Sequence, residues 1–215
     1  MSVRVITSIL LGIIAVMLAT SLYALWYISR LTDDMIETTK VILPIVYHAS
    51  DMNTNVSDYR IREWRHCIAT NPDSLRIEEQ FAEQEISNAS IHLQELRALV
   101  PPTAPENTLL FDVEILFTRY LQRSSVFFAL SRQQHSKQRA ISMMYGELRQ
   151  EYDELSQALA ALVQASVKSA QERLAWYEQT IRTTRLILIT VIASASLVSM
   201  IIGIVIVRSL YRTQR

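Results

Sequence analysis

The sequence predicts an all-α fold: an up-down-up-down four-helix bundle flanked by two transmembrane helices. Only three Gly and five Pro occur in 215 residues, too few for the many turns of a β or α/β protein. Two segments longer than 20 residues are apolar and uncharged, as membrane spans are. Between them, apolar residues recur at spacings of three and four, which is the period of an amphipathic helix.

The two apolar segments cover residues 5–28 and 186–207 and contain no charged side chain. A helix needs roughly 20 residues to cross a bilayer core. The first segment has an alternative interpretation as a cleaved signal peptide, with residues 19–21 as the cleavage site. Aromatic residues typical of a membrane interface continue the run beyond that point and favour a retained anchor: Tyr23, Trp26 and Tyr27.

The distribution of charge predicts the orientation in the membrane. Residues 31–181 hold all 21 acidic residues but only 14 of the 21 basic ones, a net charge of −7. The two tails carry Arg and no acid, so the positive-inside rule places both termini in the cytoplasm and residues 30–185 on the outer side of the membrane. The acidic middle segment also argues against nucleic-acid binding.

These observations define four parts of the chain. Residues 1–29 are a short tail and the first span, 30–185 the bundle, 186–207 the second span, and 208–215 the start of a cytoplasmic relay helix.

Three breaks divide the bundle into four helices. Asn71 and Pro72 form a helix start, with Asn as the cap. In the Pro-rich stretch 101–106, Thr103 and Glu106 have the spacing of a capping box. A weaker break is predicted near Ser136, with the fourth helix continuous from about residue 140 through the second span.

The first and last helices each carry a core stripe, and Pro44 is expected to bend the first helix. The first-helix stripe comprises Ile45, Ala49, Met52, Val56 and Tyr59. The fourth-helix stripe comprises Ile141, Tyr145, Leu148, Tyr152, Leu155, Leu159 and Leu162.

A second apolar stripe on the first helix contains Ile61, Trp64 and Ile68. It is either part of a wide core-facing surface or a contact with a second copy of the chain across a two-fold axis. The second interpretation is favoured and predicts a homodimer.

These features together resemble the four-helix-bundle ligand-binding domain of bacterial methyl-accepting chemotaxis proteins and related transmembrane sensor kinases. The resemblance rests on the span and Pro44 opening, the segment DYRIREWRH at 58–66, the Pro-rich middle loop, and IVRSL at 206–210. The last segment looks like the start of a HAMP relay helix. The resemblance implies a receptor of the bacterial inner membrane that binds a small ligand in the periplasm and passes a helix displacement through the second span to a cytoplasmic output. That output either follows Arg215 or lies on another protein.

The resemblance also implies a ligand of the carboxylate or amino-acid type, held at a dimer interface by arginines of the first helix. Arg60 and Arg65 are the candidate carboxylate ligands, because guanidinium groups bind carboxylates with two hydrogen bonds. Arg62 is a weaker candidate, since Asp58 lies one turn before it. Alternatively these are exposed arginines, with Arg60 stacked over Trp64.

Polar residues interrupt the first-helix core stripe at Glu63 and His66. Buried polar groups are costly unless they are paired, so the two residues either line a pocket or pair with each other. Residues of the fourth helix expected at the same level are Tyr145, Arg149 and Tyr152.

No catalytic, metal-binding or cofactor-binding pattern is present in the sequence, so no enzyme activity and no cofactor are predicted. His48 and His66 lie about 27 Å apart on one helix and cannot bind the same metal ion. The predicted partners are a small ligand, the lipid bilayer and a second copy of the chain. The alternative functions are the sensory module of a histidine kinase or cyclase, and a membrane adaptor that binds a protein.

Overall fold

The computed structural model describes residues 3–213, without the side chains of 3–10, 13, 28, 30–35, 37–39, 206, 207 and 209–213. Helix accounts for 94% of this range and no strand occurs in it, which confirms the all-α class. Six α-helices follow in chain order: α1 (Val3–Glu37), α2 (Leu43–Ile68), α3 (Pro72–Leu99), α4 (Glu106–Ser131), α5 (Lys137–Tyr145) and α6 (Glu147–Thr213).

The chain divides into two compact units, Glu37–Gln171 and the pair of segments Met1–Ile36 and Glu172–Arg215. The first unit contains the bundle and its core. Large side chains without solvent exposure fill that core: Met52, Val56, Leu96, Tyr120, Phe127, Met144, Leu148, Leu155, Leu159 and Leu162. The predicted first-helix stripe, now on α2, is buried throughout, whereas Tyr145 of the predicted fourth-helix stripe lies at the end of α5 and is 61% exposed.

The cap of α3 forms as predicted, and the cap of α4 does not. Asn71 Oδ1 accepts a hydrogen bond from the Ser74 backbone N–H at 2.8 Å. The residue before α4 is Pro105, and no side chain caps this helix. The predicted Thr103–Glu106 capping box is therefore wrong. Glu106 instead accepts a hydrogen bond from Ser169 of α6 at 2.6 Å.

Pro44 lies in the first turn of α2, immediately after a π-helical segment, Thr38–Ile42. Proline lacks an N–H donor and its ring collides with the carbonyl four residues earlier. The wider π turn accommodates both constraints, and such insertions are recognised causes of local distortion in helices.

The connection after α4 contains the predicted turn, a short 3-10 segment at Gln134–Ser136. The prediction of one continuous fourth helix from about residue 140 is wrong, because the chain breaks at Gly146 between α5 and α6. Glycine has a low helix propensity, and a Cβ added here would lie 3.3 Å from the Ser142 carbonyl oxygen.

Among the described residues, one stretch of helix, within Gln134–Val205, is long and apolar enough to cross a membrane. A shorter apolar helix covers Ile14–Tyr27. The predicted first span, residues 5–28, begins among side chains outside the described set, so the two-span arrangement stays a prediction.

Replacing a core leucine of α3 should destabilise the bundle much more than replacing an exposed residue nearby. Leu96 has no solvent exposure and Ile91 is 54% exposed on the same helix. We expect Leu96→Ala to lower the free energy of unfolding by about 2–5 kcal/mol and Ile91→Ala by about 0.5 kcal/mol or less. Chemical unfolding of the detergent-solubilised chain, followed by circular dichroism, measures both. Equal losses would contradict the assignment of the core.

Candidate functional site

A buried carboxyl group lies in the last two turns of α2, where this helix packs against α4. Glu63 has no solvent exposure. Its Oε2 accepts a hydrogen bond from the Tyr120 hydroxyl at 2.8 Å, and its Oε1 accepts one from Ser124 Oγ at 2.5 Å. The Tyr59 hydroxyl lies 2.6 Å from Ser124 Oγ, which extends the cluster back to α2. Both carboxyl oxygens therefore have a partner, as buried polar groups require.

Burial raises the pKa of Glu63 from 4.5 to about 7. The hydrogen bonds from Ser124 and Tyr120, and the Arg60 guanidinium 3.8 Å from Oε2, lower the pKa of this group but do not overcome its desolvation. Burial is also the main cause of the raised pKa values of the Tyr59 and Tyr120 hydroxyls, and the Glu63 carboxyl adds to both.

Arg60 connects α2 to the break between α5 and α6. Its Nη2 donates to the Met144 carbonyl at 3.1 Å and its Nη1 to the Leu148 carbonyl at 3.4 Å. The guanidinium lies over the Tyr152 ring, 4.9 Å from its centre, and not over Trp64. The last carbonyls of a helix lack partners within the helix. Arg60 therefore supplies a hydrogen-bond donor to a carbonyl at the end of α5, and it also contacts the first turns of α6.

His66 lies in a second polar cluster, at the membrane-distal end in the predicted topology. Its Nδ1 lies 2.9 Å from Ser131 Oγ and its Nε2 lies 2.8 Å from Glu79 Oε1. The same Glu79 oxygen accepts a hydrogen bond from Arg132 Nε at 2.7 Å. Burial lowers the pKa of His66, and the Glu79 carboxylate opposes that shift. Glu63 and His66 thus each have separate partners and do not pair with each other.

The structure brings together three of the seven predicted site residues: Arg60, Glu63 and Tyr152. Tyr152 also places its hydroxyl 3.0 Å from Ser57 Oγ. The other four predicted residues lie elsewhere. His66 belongs to the second cluster, Arg149 pairs with Asp153 at 3.5 Å, and Tyr145 contacts the Trp64 ring edge-on.

The Arg65 side chain is exposed, and no described residue forms an ion pair or hydrogen bond with it. Arg62 does have a carboxylate partner, but it is Glu78 of α3 at 3.4 Å and not the expected Asp58. Its guanidinium also lies 4.5 Å from the centre of the Phe81 ring. The predicted Asp58 pairing is wrong because the neighbouring helix offers both a carboxylate and an aromatic face.

The sequence reasoning missed the residues of α3 and α4 that complete these clusters. Tyr120 and Ser124 are one turn apart on α4. A polar residue that follows Tyr120 at helical spacing was a weak signal of a buried polar cluster. Glu79, which pairs with His66, has no distinguishing spacing. Residues 13 apart in sequence meet here only because α2 and α3 pack as an antiparallel pair.

A groove of about 390 Å³ runs between α3 and α4, beside the second cluster. Its walls combine apolar and charged side chains: Tyr59, Glu79, Ala82, Glu83, Ile86, Leu121, Ser125, Phe128 and Arg132. The groove is of the size of a small-molecule site.

Ionisation of Glu63 should weaken the fold as the pH rises. Burial raises the pKa of Glu63 from 4.5 to about 7 on folding. Between pH 4.5 and pH 7 the folded state therefore binds more protons than the unfolded state, and the free energy of unfolding falls as the pH rises. The stabilisation from the protonated carboxyl is complete below pH 4.5 and is lost as the pH passes 7. The loss is roughly 3 kcal/mol. The lowered pKa of His66 acts in the opposite sense, so the informative quantity is the difference between variant and wild type.

We therefore expect Glu63→Gln to stabilise the chain relative to wild type increasingly from pH 4.5 to 8, measured as the difference in melting temperature. The exposed Glu83→Gln on α3 is the matched control and should show no such trend. A pH-independent difference for Glu63→Gln would contradict a neutral buried carboxyl.

Comparison with known proteins agrees with this architecture. The family described as a four helix bundle sensory module for signal transduction matches residues 1–181. No curated protein matches the sequence significantly. The match covers most of the chain and includes α2–α5 and the part of α6 that carries the core stripe. The chain belongs to this family of four-helix-bundle sensory modules for signal transduction.

Proposed function

We propose that the chain is a two-pass inner-membrane receptor of the chemoreceptor type. It binds a small periplasmic ligand at a homodimer interface and transmits a helix displacement through α6. The observation that carries this proposal is the position of Arg60. It joins α2, the helix with an exposed apolar face, to the first turns of α6, the helix that continues to Thr213.

The proposed topology places both termini in the cytoplasm and residues 30–185 in the periplasm. It is supported by the apolar stretch within Gln134–Val205 and by the acid-free tails, which carry Arg4 at one end and Arg208, Arg212 and Arg215 at the other, on either side of an acidic segment. The output is a cytoplasmic signalling module, of this protein or of a partner, in a chemotaxis receptor or in a sensor kinase or cyclase.

The proposed dimer uses the outer face of α2. Ile61 and Ile68 are 47% and 70% exposed, and Leu43 and Tyr47 extend the same exposed side of the helix. The opposite side of α2 is already buried in the bundle core. An apolar stripe along one helix suits an isologous contact with its own copy.

Arg65 is the proposed ligand contact, because it is exposed, has no partner among the described residues and lies one turn from both Ile61 and Ile68. A ligand carboxylate at the dimer interface could therefore bind Arg65 with two hydrogen bonds. Arg60 is only 11% exposed, and direct contact would require it to release two carbonyls. We therefore assign Arg60, Glu63 and Tyr152 a different role: they position α2 against α6 and couple the movements of the two helices.

Signal transmission would follow from this arrangement. A ligand that favours one spacing of the two α2 helices shifts the population toward it by its differential affinity. The Arg60 hydrogen bonds carry an α2 shift to the α5–α6 break, and helix shifts of about 1–2 Å are common in signalling proteins.

A membrane adaptor that binds a protein is the second candidate function. Large apolar side chains are exposed on α3 and α4, and such surfaces mark protein contacts when they are contiguous. They include Ile77, Phe81, Ile91, Phe111, Ile115 and Val126.

A ligand should raise the melting temperature of the full-length chain in detergent. The screen uses amino acids, dicarboxylates and aromatic acids. At one hundred times its dissociation constant, a ligand adds about 2.7 kcal/mol of stability. We expect Arg65→Ala to abolish this shift and Arg76→Ala, an exposed arginine of α3, to retain it.

Two other results would change the interpretation. A shift lost in Arg132→Ala but kept in Arg65→Ala would place the ligand in the groove between α3 and α4 and overturn the interface site. A folded, dimeric chain with no ligand in the panel would favour the adaptor function.

Cysteine cross-linking tests the dimer. Ile61→Cys and Ile68→Cys are made separately in a Cys67→Ser background and oxidised mildly in native membranes. Each should form disulfide-linked dimers, because a two-fold axis parallel to α2 brings the Cα atoms of equivalent residues within the roughly 4.4–6.8 Å that a disulfide needs. Ile91→Cys on α3 is the control, because the exposure of Ile91, 54%, lies between those of Ile61 and Ile68. Cross-linking of Ile91→Cys at the same rate as the α2 variants would argue against an α2 interface.

A further inference from the structure

Two histidines from different helices face each other on the side of the bundle where α2 and α3 pack. His48 Nδ1 and His92 Nδ1 lie 2.9 Å apart, although 44 residues separate them in sequence. Both rings are partly exposed, and the Tyr47 ring packs edge-on against both of them. The sequence alone compared His48 with His66, which lies too far along α2.

An acidic side chain lies near the remaining nitrogen of His92. Its Nε2 lies 3.9 Å from Asp51 Oδ2, a carboxylate one turn beyond His48 on the same helix. A carboxylate at this distance favours a proton on Nε2 through its charge, and Nδ1 is then the hydrogen-bond acceptor from His48. Histidines that bind metals usually have a carboxylate or carbonyl near their other nitrogen, and Asp51 lies at ion-pair distance, not hydrogen-bond distance, from this one.

The distance between the two Nδ1 atoms matches that of two nitrogens bound to one metal ion. With bonds of about 2.0–2.1 Å and a right angle between them, two ligand nitrogens lie about 2.9 Å apart. Right angles are typical of the square-planar or tetragonal sites of Cu²⁺ and Ni²⁺, whereas a tetrahedral ion such as Zn²⁺ requires a wider spacing.

We propose that His48 and His92 form a two-histidine site for a divalent transition metal, Cu²⁺ or Ni²⁺, between α2 and α3. No cluster of three or more His, Cys, Asp or Glu side chains suited to a metal lies in the described part of the chain, so water completes the coordination. The ring that donates the hydrogen bond in the metal-free pair adopts its other tautomer, and both Nδ1 lone pairs then bind the ion.

This site is separate from the proposed ligand site at Arg65, which lies 17 residues further along α2. A metal bound here ties α2 to α3, two elements of the same bundle. It would therefore stabilise the bundle independently of any organic ligand, and each proposal can fail without the other.

The test is titration of the tag-free full-length chain in detergent with Cu²⁺ or Ni²⁺. We expect the melting temperature to rise and to saturate at one ion per chain, with Cu²⁺ binding more tightly than Ni²⁺. The electron paramagnetic resonance spectrum of the Cu²⁺ form should show coupling to two imidazole nitrogens. His48→Ala and His92→Ala should each lose the saturable shift, and His135→Ala, a histidine outside the pair, should retain it.

Two variants separate a metal site from a structural hydrogen bond. Asp51→Asn should weaken metal binding, because it removes the negative charge 3.9 Å from His92 Nε2, while the metal-free melting temperature changes little. If the alanine variants fail to fold, His48→Gln, which keeps a hydrogen-bonding side chain, takes their place and should still lose the metal shift. A shift that survives in the His48 and His92 variants, or no shift in the wild type, would overturn the proposal.

Discussion

The buried carboxyl of Glu63 imposes the strongest constraint on this bundle. A carboxyl group without access to water is tolerated only if its oxygens are satisfied and its charge is reduced. The hydroxyls of Tyr120 and Ser124 satisfy the oxygens, which fixes the register of α2 against α4. The carboxyl also draws the Arg60 guanidinium inward, and Arg60 in turn contacts the end of α5 and the start of α6. Buried polar clusters of this kind are demanding in geometry and specify one arrangement of helices.

The same cluster links the fold to the proposed signalling. A purely apolar contact between α2 and α6 would hold their register by side-chain packing alone. The directed hydrogen bonds of Arg60 to the Met144 and Leu148 carbonyls instead connect a movement of α2 to the break at Gly146. Packed helical interfaces that offer discrete arrangements are suited to switching, and α6 is the helix that continues toward the proposed second span.

Local sequence rules failed where a tertiary partner competed with a local one. Glu106 has the spacing of a capping box but bonds to Ser169 of α6. Arg62 has an acidic residue one turn before it but pairs with Glu78 and stacks on Phe81. In each case a neighbouring helix supplies a partner that a single-helix rule does not contain. The interruption at Gly146 had a local signal in the glycine itself, which the strong apolar stripe on either side outweighed.

The sequence by itself determined the helical class, the α3 start at Asn71 and Pro72, and the buried stripe of α2, including the polar positions Glu63 and His66. These features follow from local helix propensity and from the spacing of apolar residues at every third or fourth position. Both can be read from a segment without knowing what it packs against. The tertiary structure decided which groups meet: Glu63 with Tyr120, His66 with Glu79, and His48 with His92. Such pairings depend on how helices distant in sequence are registered, and that register comes from the packing of the whole core.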